Sequence, residues 1–100
     1  MARAMSETDH LPRQQMLIDG EWTESASGEY FESFDPYTAR AWTLIPRGNA
    51  DDVDRAVQAA HRAFTSGDWP KMHASQRGLL LRKLGDLIAR DAEALAAIEV

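Results

Sequence analysis

The run Asn49-Ala50-Asp51-Asp52-Val53-Asp54-Arg55-Ala56-Val57-Gln58-Ala59-Ala60-His61-Arg62-Ala63-Phe64 constrains this chain more than any other. Val53, Ala56, Val57, Ala60, Ala63 and Phe64 recur at i, i+3, i+4, i+7, i+10 and i+11, which places one apolar stripe along one face of a helix. Asn49 stands where a side chain can cap the first free amides, and Asp51, Asp52 and Asp54 lie where the helix dipole favours negative charge. Period and start signal together predict a helix over about 50 to 64. A stripe made mostly of alanine and valine is thin and smooth, so it suits close approach of a second element and not a deep pocket. Val53, Val57 and Phe64 are expected to turn away from solvent, and the stretch carries no chemistry of its own.

Before this helix the sequence reads as short strands joined by turns. Residues 1–13 are polar and aperiodic and contain Pro12, so they are expected to form a mobile tail without function. Met16-Leu17-Ile18, then Asp19-Gly20, then Glu21-Trp22-Thr23 predicts two strands around the dipeptide most favoured in tight hairpins, the glycine tolerating positive φ. Ser25-Ala26-Ser27-Gly28 is a second turn, and Tyr30, Phe31 and Phe34 make the next segment strand-like. Asp35-Pro36 ends it, because proline donates no amide hydrogen and restricts the residue before it. The chain then turns through Tyr37-Thr38-Ala39-Arg40 into a strand from Ala41 to Ile45 that stops at Pro46.

After the helix, Thr65-Ser66-Gly67-Asp68-Trp69-Pro70 is a cluster of breakers. A second helix is predicted from about Ala74 to Arg90, with Leu80, Leu81, Leu84, Leu87 and Ile88 on its apolar side and Arg77, Arg82, Lys83 and Arg90 outside. Gly78 and Gly85 within it each cost about 1 kcal/mol relative to alanine. Asp91 is placed to cap a third helical segment, Ala92 to Val100, which directs Leu95 and Ile98 toward a core. The expected fold class is α/β: a hairpin and strand segment followed by two or three helices. Strands this short are not expected to cover Val53, Val57, Leu80, Leu84 and Leu87 by themselves.

Composition narrows the function. With 16 acidic against 11 basic residues the formal charge is −5, which gives no electrostatic reason to approach nucleic acid or an anionic membrane. No apolar run approaches the roughly 20 residues of a membrane span, and polar residues 6–10 stand where a signal peptide needs its apolar stretch. Cysteine is absent, which excludes disulfides, thiolate metal sites and a thiol nucleophile within this chain. The expectation is a cytoplasmic protein. The six glycines fall in neither dinucleotide nor phosphate-loop spacing. His10, His61 and His73 are far apart, Asp51-Asp52-Val53-Asp54 lacks the glycine and terminal glutamate of a calcium loop, and Glu93 and Glu99 do not share a helix face. Ser27 reads as a turn serine, and Trp22, Trp42 and Trp69 as packing residues. Residue chemistry alone therefore predicts a scaffold with no catalytic constellation.

The ordered text adds a family. Met16-Leu17-Ile18-Asp19-Gly20-Glu21-Trp22, Ser27-Gly28, Phe31-Glu32-Ser33-Phe34-Asp35-Pro36, Asp52 to Ala60, Trp69, and Arg77 to Leu84 resemble, in order and spacing, the N-terminal part of the aldehyde dehydrogenase superfamily. The likeness covers about residues 16 to 100. It implies that residues 14–100 form the leading part of the NAD(P)-binding domain, incomplete on its own, of a longer enzyme that oxidises aldehydes to carboxylates. In that family a cysteine attacks the carbonyl, NAD or NADP takes the hydride and a glutamate activates water. None of those residues maps onto this sequence. One feature does: a backbone carbonyl before the Asn-Pro pair that helps hold a monovalent cation, placed here at Ser33 or Phe34.

Three departures bear on that mapping. Asp35 replaces the usual asparagine, Tyr37-Thr38-Ala39-Arg40 replaces a turn that usually carries Gly-Glu, and His73 stands where serine or threonine normally caps the second helix. The resemblance further implies an aldehyde substrate, the rest of a parent chain as partner, and a homodimer or homotetramer. The rival expectation is a self-standing helical interaction module that closes its own core.

Overall fold

The computed structural model describes residues 9–99. They fall into two compact parts, residues up to Ala60 and residues from His61, and the division lies inside a helix. In the first part β1 (Met16–Ile18) and β2 (Glu21–Thr23) pair antiparallel with Leu17 opposite Trp22. Asp19 at φ 54° and Gly20 at φ 74° both take the left-handed conformation that a type I′ turn requires, as the dipeptide predicts. The Ser25 carbonyl accepts the Gly28 N–H at 3.0 Å and closes the second turn.

A second antiparallel pair follows, β3 (Tyr30–Asp35) with β4 (Arg40–Pro46). Its turn is held by Asp35, whose Oδ1 accepts the Tyr37 N–H and whose carbonyl accepts the Ala39 N–H, both at 2.8 Å. Aspartate thus makes the side-chain turn that asparagine is suited to make, and the departure at position 35 leaves the turn closed. Ala39 in this turn sits at φ 58°, a conformation that costs a residue with a Cβ roughly 1–2 kcal/mol.

Pro12 and Arg13, expected within a mobile tail, are instead docked on β4. Leu44 donates its N–H to the Pro12 carbonyl and accepts that of Gln14, both at 2.9 Å. The Thr43 hydroxyl donates to the same Pro12 carbonyl at 2.8 Å and accepts from the Gln14 amide at 3.0 Å. A segment alongside an edge strand is fixed by backbone groups, which hydropathy does not register. Residues 1–8 of the expected tail lie outside the described residues, and Asp9 and His10 form a turn. Burial centres here: among the described residues only Ser25, Thr43, Leu44, Pro46 and Asp52 are buried.

The first helix, α1 (Ala50–Ser66), runs two residues past its predicted end. The hydroxyls of Thr65 and Ser66 donate to the carbonyls of His61 and Arg62, both at 2.9 Å, so residues read as breakers are accommodated within the last turn. The packing expectation for its stripe fails: Val53, Val57 and Phe64 are 61%, 60% and 78% exposed. The short β pairs leave Val53 and Val57 uncovered, as their length leads one to expect.

In the second part a short 3₁₀ turn (Trp69–Lys71) leads into α2 (Ala74–Arg90), which runs unbroken through Gly78 and Gly85, and then α3 (Ala92–Glu99). Asp91 begins α3 with its backbone, its carbonyl accepting the Leu95 N–H at 3.0 Å, while its carboxylate pairs with the Arg90 guanidinium at 2.9 and 3.0 Å. Leu95 and Ile98, expected to reach a core, are exposed, as are Leu80, Leu84 and Leu87. No described side chain from residue 61 onward is buried.

His73 occupies the N-cap of α2 with suitable backbone, φ −62° and ψ 144°, yet its side chain makes no capping hydrogen bond. Order at this end comes from Arg77, whose Nη1 donates to the carbonyls of Met72 at 2.8 Å and Trp69 at 3.3 Å. His73→Ser should therefore stabilise α2 by about 1 kcal/mol, since a hydroxyl there accepts a first-turn amide. The urea midpoint of the helical far-UV signal checks this, and an unchanged or lower midpoint would count against the missing cap.

Candidate functional site

The site mapped by resemblance, Ser33 and Phe34, sits where the β3–β4 ladder is interrupted. Tyr30 to Ser33 pair with Pro46 to Thr43 in order, but Phe34 pairs with Ala41 and Asp35 with Arg40, so Trp42 is an extra residue on β4. Such a bulge disrupts the ladder locally and re-aims the backbone groups beside it. Buried Thr43, immediately next to the bulge, is tied to Pro12 and Gln14. No residue pattern around Trp42 signals the bulge in advance.

Alongside β3 lies an open groove of about 660 Å³, lined by Arg13, Tyr30, Glu32, Phe34, Leu44 and Arg47 among others. The Arg13 guanidinium lies 5.1 Å over the Tyr30 ring and that of Arg47 5.2 Å over Phe31. Tyr30 donates its hydroxyl to Glu24 Oε1 at 3.1 Å. Desolvation, then the hydrogen bond and charge of Glu24, push its phenol above the ordinary value, against the opposing pull of Arg13. Glu29 and Glu32 line the same groove as the two guanidiniums, so its charge is mixed and it resembles no phosphate cradle. Among the described residues lining it, Asp9, Arg13, Glu29, Tyr30, Glu32 and Arg47 supply the polar side chains, and none is a serine, threonine or cysteine nucleophile.

Asp52 is a buried carboxylate, 2% exposed, that accepts several hydrogen bonds. Its Oδ2 accepts the Asn49 N–H at 2.9 Å while Asn49 Oδ1 accepts the Asp52 N–H at 3.1 Å, a reciprocal capping box with aspartate in the acidic position. Oδ1 accepts the Ala26 N–H at 2.9 Å and pairs with the Arg55 guanidinium. The Asn49 amide first, then Arg55 and the Ala26 amide, hold the carboxyl below its ordinary range although burial opposes them. The sequence reading assigns Asn49 as cap and Asp52 only as a dipole acid. The Asn-x-x-Asp spacing signals the box itself, whereas the bond to Ala26 has no local signal.

The other singled-out residues do not converge. His61 lies on α1 and His73 before α2, and among the described residues no group of three or more His, Cys, Asp or Glu is placed to hold a metal ion.

Comparison with known proteins gives one consistent result. The model of the Aldehyde dehydrogenase family matches residues 22–100. Aldehyde dehydrogenase family 2 member B4, mitochondrial, of Arabidopsis thaliana is 42% identical over 85 residues, covering 85% of this chain and 16% of that protein. Aldehyde dehydrogenase 1A1 of Homo sapiens is 45% identical over 86 residues, 85% of this chain and 17% of its own. Among solved structures, NAD-dependent aldehyde dehydrogenase from Sinorhizobium meliloti aligns with TM-score 0.82 at 40% identity, covering 89% of this chain and 18% of that one. The NAD+ complex of aldehyde dehydrogenase from Bacillus cereus aligns with TM-score 0.83 at 37% identity, covering 87% and 18%. The chain thus spans about one sixth of the length of the relatives it matches.

The Asp52 geometry makes a pH prediction. Its folded pKa lies below the unfolded value of roughly 3.9, so the stabilisation it provides is present above that value and is lost as pH falls through the folded pKa. Asp52→Asn turns one acceptor into a donor facing an N–H. It should lower stability at neutral pH and flatten the acid dependence. Urea unfolding of both proteins across the acid range tests this, and parallel pH profiles would contradict it.

Proposed function

Because the chain belongs to the aldehyde dehydrogenase family, we propose that it is the leading segment of a longer oxidoreductase that oxidises an aldehyde to a carboxylic acid with NAD(P)+ through a cysteine thiohemiacetal and thioester. The observation that carries this reading is the family match across residues 22–100, together with 40% identity to an NAD-dependent relative over 89% of the chain. NAD takes precedence over NADP because both solved neighbours name it. The residues present do not fit the cofactor: no glycine-rich cradle occurs among them and the groove beside β3 carries mixed charge. Nucleophile, hydride acceptor and general base are therefore assigned to the rest of the parent, and this segment serves as scaffold.

Within that role, a backbone carbonyl at Ser33 or Phe34 would help hold a monovalent cation. The bulge at Trp42 supports this, since an interrupted ladder leaves backbone oxygens to be aimed elsewhere. The cation would supply fixed charge at the turn, with its remaining ligands from the rest of the parent. A cytoplasmic homodimer or homotetramer completes the reading, although several of the relatives are mitochondrial proteins. A self-standing interaction module would need a core closed within the chain, and from residue 61 onward no described side chain is buried.

Two tests follow from these assignments. The parent protein, read from the codons after Val100, should form NADH only when an aldehyde is supplied, and the 100-residue chain should form none. NADH formation by the isolated chain, or none by the parent over a panel of aldehydes, would overturn the assignment. For the cation, exchanging potassium or sodium for a bulky organic cation should lower the thermal midpoint of the parent, and deleting Trp42 should remove that difference. A midpoint indifferent to the ion would remove the site.

A further inference from the structure

We draw no further inference here: the strongest candidate, the apolar face that α2 presents through Leu80, Leu84 and Leu87, is exposed with nothing in the structure to show what covers it.

Discussion

Asp52 joins pieces of chain that are distant in sequence. One carboxylate fixes the first turn of α1 through Asn49, takes the Arg55 guanidinium from the next turn, and holds the Ala26 amide of the turn before β3. Burying a charge is costly unless hydrogen bonds replace its water, and here backbone N–H groups and a guanidinium do so. The turn at Ser25 to Gly28 sets where β3 begins, and the Arg47 N–H bonded to the Glu29 carbonyl at 2.8 Å sets where β4 leaves for the helix. The strand pair bearing Ser33 and Phe34 is thus anchored at one end by Asp52 and along β4 by Pro12 and Gln14.

Few apolar side chains among the described residues are buried. Leu44 and Pro46 are buried on β4, but the leucines of α2 and the valines of α1 remain in contact with solvent. At about 25 cal/mol per Å² of apolar area, several exposed leucines forgo a contribution of several kcal/mol, comparable with the whole stability of a small domain. The helices retain amphipathic sequences suited to a covering layer. Relatives several times longer, whose structures superpose on most of this chain, contain material enough to supply one.

Much of the local structure was legible in the sequence because it is encoded locally. Asp19-Gly20 specifies its turn through backbone φ, the α1 stripe is a matter of period, and Gly78 and Gly85 weaken a helix without breaking it. The family, too, was legible from ordered short runs. What escaped depends on partners far along the chain: the bond of Asp52 to Ala26, the docking of Pro12 and Arg13 on Leu44, and the extra residue Trp42. The exposure of Val53, Val57 and Phe64 runs against the stripe but agrees, for the two valines, with strands too short to cover them. Periodicity reports that a face is apolar and does not report whether the covering element lies within these residues.

That distinction is open to direct measurement. Thermal unfolding of the purified 100-residue chain, followed by far-UV and near-UV circular dichroism at several concentrations, reads whether its helices possess their own core. Exposed faces on α1 and α2 predict a shallow transition, weak near-UV tryptophan signals, and either dye binding or association as concentration rises. A sharp, concentration-independent, two-state transition with strong near-UV tryptophan signals would show that the chain closes its own core, and would contradict its role as an incomplete part of a larger domain.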